Sequence, residues 1–440
     1  MSQAVSLNRQ IVRLALPALG ALMAEPAFLI VDSILVGHLG VVPLAGLGIA
    51  AAVLQTIVGL MIFLAYSTTP AVARRFGEGN KSAAVSVGID GMWLALGLGA
   101  VLAVAGFLAS PWLVSLFGAG DAVASQATIY LSISMWGLPA MLIVYAATGL
   151  LRGMQDTVTP LWIVGFGFAA NAGLNALFIY GFGWGIAGSA IGTVTAQWAM
   201  VVAFVLVVAR LAGRHGATTK VSRSGLRGSA RSGGWMFLRT LSLRIALLLT
   251  VVVATGMGAA ELAGWQIVFT IFSAAAFALD ALAIAAQALI GKGLGEGDRD
   301  AVRQIMRHTT VWGIWFGVLV GGAIAALSGV LGLIFTGDAE ISGLIVGALL
   351  VLAVIQPIAA IIFVYDGVLM GAGDVRYLAI AGGLNLLPTL PALWAVAASG
   401  IVGSPGLVNL ALAYFGVYFV ARLVTLGLRI LSGRWMDAEV

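Results

Sequence analysis

Long stretches with almost no charge recur along the whole of this 440-residue chain. Nothing else in the sequence constrains the fold as tightly. Crossing the hydrocarbon of a bilayer takes about 20 mostly apolar residues in a helix. In that medium only helices and closed barrels satisfy every backbone hydrogen bond. Twelve stretches of this kind can be marked, at 11–37, 44–71, 84–108, 124–151, 158–181, 186–211, 234–256, 262–291, 302–328, 342–370, 375–399 and 406–431. Charged residues make up only 9% of the chain, against about 25% in a soluble domain. The expected fold is therefore an all-α polytopic membrane protein with twelve transmembrane helices. The first stretch is too long for a signal-peptide core, so no cleaved leader is expected.

The remaining charges set an orientation. One series of loops carries Arg74, Arg75, Lys81, Arg152, Lys292, Arg299, Arg303, Arg307 and Arg376. The 212–233 connection, on the same side as both termini, adds Arg214, Lys220, Arg223, Arg227 and Arg231. The opposite loops hold Asp121, Glu261, Asp338 and Glu340 and no Lys or Arg. The positive-inside rule makes the basic side cytoplasmic, in a cell inner (plasma) membrane protein. The net charge of +5 then reports basic loops facing anionic lipid, and no nucleic-acid partner is expected. Three parts follow: an N-terminal six-helix bundle at 1–211, a basic cytoplasmic linker at 212–233, and a C-terminal six-helix bundle at 234–440.

The two halves repeat at a constant offset of 218 residues. Gly40-Val-Val-Pro-Leu-Ala-Gly46 aligns with Gly258-Ala-Ala-Glu-Leu-Ala-Gly264. Phe76-Gly-Glu-Gly-Asn-Lys-Ser-Ala83 aligns with Leu294-Gly-Glu-Gly-Asp-Arg-Asp-Ala301, and Gly149-Leu-Leu-Arg-Gly-Met-Gln-Asp156 with Gly367-Val-Leu-Met-Gly-Ala-Gly-Asp374. Six crossings per repeat is an even number, so both halves enter from the same side. They form pseudo-symmetric parallel repeats about an axis along the membrane normal, a transporter architecture. Enzyme chemistry finds no support. There is no cysteine, the three histidines are scattered, and no phosphate loop or serine-nucleophile motif is present. No cofactor or metal site is expected, and without a nucleotide site transport must draw on an ion gradient.

These motifs resemble the multidrug and toxic compound extrusion family. Arg75-Phe-Gly-Glu-Gly-Asn-Lys-Ser-Ala83 and Gly295-Glu-Gly-Asp-Arg-Asp-Ala301 are similar to its Gly-rich loops after helices 2 and 8. Leu151-Arg-Gly-Met-Gln-Asp156 and Met370-Gly-Ala-Gly-Asp374 are similar to its loops after helices 4 and 10. The first helix, from Glu25 through Asp32 to Gly40, resembles the DNA-damage-inducible (DinF) branch. The resemblance implies two bundles forming a V around a central cavity, and proton- or sodium-driven export of small amphipathic, often cationic, compounds. A monomer surrounded by membrane lipids is expected. The major facilitator superfamily shares the helix count, but its basic Asp-Arg loop pattern is missing from Ala73-Arg-Arg-Phe-Gly-Glu-Gly79. A lipid or lipid-linked precursor flippase is the alternative function; a channel is disfavoured by the repeat.

Ionisable side chains inside membrane helices are costly and mark function or pairing. The candidates are Glu25, Asp32, Asp90, Arg244, Asp280, Asp366 and Arg422. Helix rise places Asp32 and Asn175 at one depth, with Asn171 a turn deeper. The resemblance makes Asp32 the cation-binding carboxylate and Asn171 its neighbour on helix 5. Asn175 stands where many members carry a second Asp, which favours a proton over sodium. Hydrogen bonding alone is the competing role for all three. Glu25 is either a second proton site or a cap for the gap at Pro26. Thr250 occupies the equivalent of Asp32 in the second half. A buried pair from Asp280 to Arg244 or Arg422 is expected, mainly structural in role. Asp90 and Asp366 are expected to be solvated or gate-lining, and His308 interfacial. Met23, Met61, Met135, Met141 and Met200 are candidates for an adaptable chamber, with plain packing the expectation for any one.

Reporter fusions check the topology. Those at 215–230 and at the C-terminus should report the cytoplasm, and those near Ala119 or Gly337 the outside. A single fusion of the wrong sign at 215–230 would break the arrangement.

Overall fold

In the computed structural model every one of the twelve apolar stretches is helical, and the helices run a few residues beyond the expected edges. Residues 2–335 and 338–438 are described, without the side chains of 2–6, 25 and 339. The spans are α1 (Leu7–Gly37), α2 (Val41–Gly77), α3 (Lys81–Ser115), α4 (Asp121–Gly153), α5 (Val158–Gly181) and α6 (Gly185–His215), then α7 (Arg223–Met257), α8 (Ala259–Gly295), α9 (Arg299–Phe335), α10 (Glu340–Gly371), α11 (Val375–Ser399) and α12 (Gly403–Ser432). Among the described residues there is no strand.

Contacts divide the chain into two compact units, one comprising Leu16–Gly233 and the other Met1–Ala15 with Gly234–Val440. This differs from the expected parts in two places. The first residues group with the second unit, and the basic connection groups with the first. Most of that connection is helical. Gly216, at φ +63, ends α6 in the left-handed conformation, and α7 already begins at Arg223. The short link between them is fastened to α3: Ser82 Oγ donates to the Gly216 carbonyl at 3.1 Å, and Trp93 Nε1 to that of Thr219 at 3.1 Å. The Ser222 amide donates to Asp90 Oδ1 at 3.0 Å. Asp90 is therefore buried at the start of α7, where a helix favours negative charge, rather than solvated. Hydropathy hid this part of α7 because its arginine-rich first turns lie outside the apolar stretch.

Within each unit the repeat is visible atom by atom. The left-handed positions recur at the same offset: Gly40 and Gly258, Gly79 and Gly297, Gln155 and Gly373, Gly185 and Gly403. The Gly-rich loops are capped turns. Asn80 Oδ1 accepts the Ala83 amide at 2.9 Å, and Asp298 Oδ1 accepts that of Ala301 at 2.9 Å. The motif glycines are close-packing points between helices. A β-carbon on Gly149 would lie 2.8 Å from the Ala65 carbonyl oxygen, and one on Gly153 2.7 Å from that of Thr69. In the second unit, Gly367 and Gly371 face the carbonyls of Ala283 and Gln287 at 2.4 and 2.6 Å by the same measure. Both pairs have the small-xxx-small spacing that lets membrane helices approach backbone to backbone.

Close packing at equivalent points implies equivalent costs. Gly149→Leu and Gly367→Leu should each sharply reduce the folded yield, because backbone cannot yield as a side chain can. Gly234→Ala, where a β-carbon meets nothing within 4 Å, should fold normally. Size-exclusion profiles of the three purified variants check this; a normal Gly367→Leu profile would show that the α8–α10 contact is dispensable.

Candidate functional site

Asp32 is 3% exposed in the C-terminal half of α1, and among the described residues its hydrogen-bond partners are all neutral. Ser189 Oγ donates to Oδ1 at 2.6 Å and Asn175 Nδ2 to the same oxygen at 2.8 Å. Tyr130 Oη donates to Oδ2 at 3.0 Å. Four helices, α1, α4, α5 and α6, thus converge on one carboxylate. Gly192 lets α5 and α6 come close enough, since a β-carbon there would lie 2.2 Å from Asn175 Oδ1. Just beyond Asn175, α5 widens into a π turn at Leu177–Gly181, where Tyr180 Oη donates to the Leu35 carbonyl of α1 at 2.6 Å.

The donors hold the carboxylate, but the cage has acceptors to spare. Asn175 Oδ1 and Asn171 Oδ1 are buried with no hydrogen-bond partner. A buried acceptor left unpaired costs roughly 1–3 kcal/mol, and native proteins keep few of them. The chemistry is lopsided: a negative charge, further oxygens, and no cation. A proton on Asp32 removes the charge and turns one carboxylate oxygen into a donor; a small cation would instead take the oxygens as ligands. Among the described residues no group of three or more acidic, histidine or cysteine side chains is placed to hold a metal ion.

The residues singled out from sequence meet unequally. Asp32 and Asn175 are in direct contact, and Asn171 is buried one turn away on α5. Tyr130, Ser189 and Thr193 belong to the cage and were missed, because Tyr, Ser and Thr in a membrane helix carry no charge to flag them. Glu25 lies in α1 with its side chain outside the described residues. In the second unit Thr250 is buried and accepts from Trp265 Nε1 at 2.9 Å. The positions equivalent to Tyr130, Asn175, Ser189 and Thr193 are Ala348, Leu393, Leu407 and Ala411. The cage therefore exists in one repeat only.

The second unit has its own charged cluster. Arg422 reaches Asp366, with Arg239 on the same oxygen at 3.0 Å; Asp366 had been expected to be solvated or gate-lining, and the expected pair ran from Asp280 to Arg244 or Arg422. Asp366 is buried, 5% exposed, and clamped between α7 and α12. Arg422 also lies over the rings of Tyr418 and Phe419 at 5.8 and 5.9 Å. Arg244 and Asp280 are half-buried, and Asp280 is not without an interaction. Arg239 was overlooked because it lies near the start of its apolar stretch. Met141 and Met200 line a cavity of about 70 Å³ in the first unit, with Tyr66, Tyr145, Phe168 and one charged side chain, Arg152. Met135 is instead wholly buried in packing.

The pattern of the MatE family matches residues 17–177 and 236–392, one block in each repeat. The chain belongs to the MatE family. Its members are transporters and not enzymes. The chloroplastic protein DETOXIFICATION 44 of Arabidopsis thaliana is 29% identical over 98% of this chain and 84% of its own length. DNA damage-inducible protein F of Escherichia coli strain K12 is 27% identical over 90% of this chain and 89% of its own. The crystal structure of the Vibrio cholerae MATE transporter VcmN in its bent form superposes with a TM-score of 0.88 at 22% identity, covering 99% of this chain and 100% of that one.

Removing Asp366 strands two buried guanidinium groups, and breaking a buried pair costs about 3–5 kcal/mol. Asp366→Ala should therefore destabilise the protein more than Arg244→Ala. Double-mutant cycles of Asp366→Ala with Arg239→Ala and with Arg422→Ala, read by thermal unfolding, should both show coupling. Absence of coupling in both would leave the clamp without energetic weight.

Proposed function

We propose that this MatE transporter is a proton-driven antiporter that exports small amphipathic, largely cationic compounds by alternating access. Both termini would lie on the cytoplasmic side of the plasma membrane. The observation that carries this reading is the cage around Asp32: a buried carboxylate held by neutral donors alone beside two unpartnered amide oxygens. Such a cage answers to the arrival of a proton in a way that a salt bridge does not. Protonation removes the charge and supplies a donor, so Asn171, Asn175 and Ser189 can re-pair and α1 can repack against α5 and α6. Asp366 is a poor candidate for the same role, because two arginines already neutralise it.

Proton rather than sodium is favoured by the single carboxylate, since Asn175 stands where the family resemblance leads one to look for a second Asp. The substrate class follows from the family resemblance. A proton shifts the conformational equilibrium only by binding the two states unequally. Coupled export requires that proton and substrate each disfavour the other's bound state.

Asp32→Asn keeps the shape of the side chain and removes its titration. It should give a folded, membrane-inserted protein that cannot build a substrate gradient from a pH gradient. Glu25→Gln should be milder. Proteoliposome efflux, with pH and sodium gradients imposed separately, and thermal unfolding are to be measured on one purified sample of each. Normal proton-driven efflux by Asp32→Asn would end the proposal, and efflux driven by sodium alone would change the coupling ion.

A further inference from the structure

A groove of about 1000 Å³ opens in the second unit between the first turns of α1, the end of α8 and the start of α9. Its side chains are sorted by height. Along one face of α9 run Asp300, Gln304, Arg307, His308 and Val311, spaced as neighbours on a helix surface. Glu296 and Asp298 on the α8–α9 turn join Asp300 at the outer rim. Below them Arg307 and His308 lie about two turns further along α9 than Asp300, while Lys292 lies nearer the rim, one turn before Glu296 on α8. At the floor, Trp312 Nε1 donates to Asn8 Oδ1 of α1 at 3.1 Å. Exposed Val311 and Trp315 continue down the outside of α9. Read inward, the groove is anionic, then amide, then cationic, then aromatic and apolar.

We propose that this groove binds the headgroup of an ethanolamine phospholipid. Such a lipid has the same order: an ammonium outermost, a phosphate beneath it, then the glycerol and acyl chains. The groove's cations sit at headgroup depth, where basic pockets between membrane helices hold phosphates. Arg307 has no ion pair among the described residues. His308 donates Nδ1–H to the Gln304 carbonyl at 2.9 Å, so its Nε2 offers a phosphate oxygen a proton in the imidazolium form. The rim carboxylates keep capacity for an ammonium. Asp298 uses one oxygen to cap α9, and Glu296 meets Lys292 only at 3.5 Å in an exposed pair, which is weak in water. Asp300 pairs with Arg303 but is 86% exposed on its side chain. A choline headgroup cannot donate hydrogen bonds to this rim, and a glycerol headgroup brings it no positive charge. The acidic rim is what separates this site from a plain anionic-lipid patch.

The test is thermal unfolding of the purified full chain in detergent, with added phosphatidylethanolamine, phosphatidylcholine or phosphatidylglycerol of matched acyl chains, or free phosphoethanolamine. The ethanolamine lipid should raise the melting temperature a few degrees above the other two lipids. Free phosphoethanolamine should leave it unmoved. The double substitution Arg307→Gln with His308→Gln should abolish the increment. Glu296→Gln with Asp300→Asn, both exposed and so without consequence for folding, should move the preference to phosphatidylglycerol. Equal shifts from ethanolamine and choline lipids, or an unchanged preference in the rim variant, would overturn the proposal. A shift from free phosphoethanolamine as large as that from the lipid would overturn the assignment to a lipid. None of these readouts involves transport, so the site stands or falls apart from the antiport reading.

Discussion

Helices in lipid cannot be driven together by hiding apolar surface, because the surrounding tails are as apolar as the side chains. Association rests on close packing and on hydrogen bonds between helices. In this chain close approaches are made by glycines that face carbonyl oxygens, among them Gly149 and Gly153 against α2 and Gly367 and Gly371 against α8. The two contacts occupy equivalent places in the repeat, so one packing solution has been used twice. The turns that end in these contacts, with their left-handed residues and side-chain caps, are fixed by the same demand. The family's motifs are therefore mostly scaffold. They bring helices together and are silent on what the bundles bind.

Function enters where the repeat is broken. The first unit sets a carboxylate among Tyr, Asn and Ser at positions where the second has Ala and Leu. The second unit clamps Asp366 between Arg239 and Arg422, and the equivalents of these three residues in the first are Thr148, Ala21 and Phe204. Neither cluster has a counterpart, and their electrostatics are opposite in kind. A carboxylate among neutral donors gains or loses a charge with its proton. A carboxylate shared by two guanidinium groups is part of a buried ionic cluster, and removing it would leave both cations unpaired there.

How much of this was legible in the sequence follows from what each signal depends on. The twelve spans rest on apolar length, which a single sequence shows directly. The repeat rests on an offset that several windows share. Asp32 with Asn175 was legible because helix rise converts position into depth and a membrane carboxylate stands out. Tyr130, Ser189 and Thr193 were not, since which face of α4 or α6 turns toward α1 depends on packing. The same limit hid the pairing of Arg422 with Asp366: depth is read from sequence, but which carboxylate faces Arg422 depends on packing. Asp90 was misread because its partner is a backbone amide at the start of a helix that hydropathy does not register.

If Asp32 alone carries the proton, the proposed exchange is bounded in what it can achieve. Each pH unit is worth about 1.4 kcal/mol per proton, a tenfold ratio of substrate. If one proton enters as one monovalent cation leaves, no net charge crosses and the membrane potential adds nothing. If the substrate is neutral, the same exchange moves one charge, and every 100 mV adds about 2.3 kcal/mol. With a second carboxylate in the cage, two protons could enter per cation and the potential would contribute for cations too. Asn175 in that position removes the option. Under the proposed one-proton exchange the cage would tie energetics to substrate charge: monovalent cations would be driven by the pH difference alone, while neutral amphipathic compounds would draw on the potential as well.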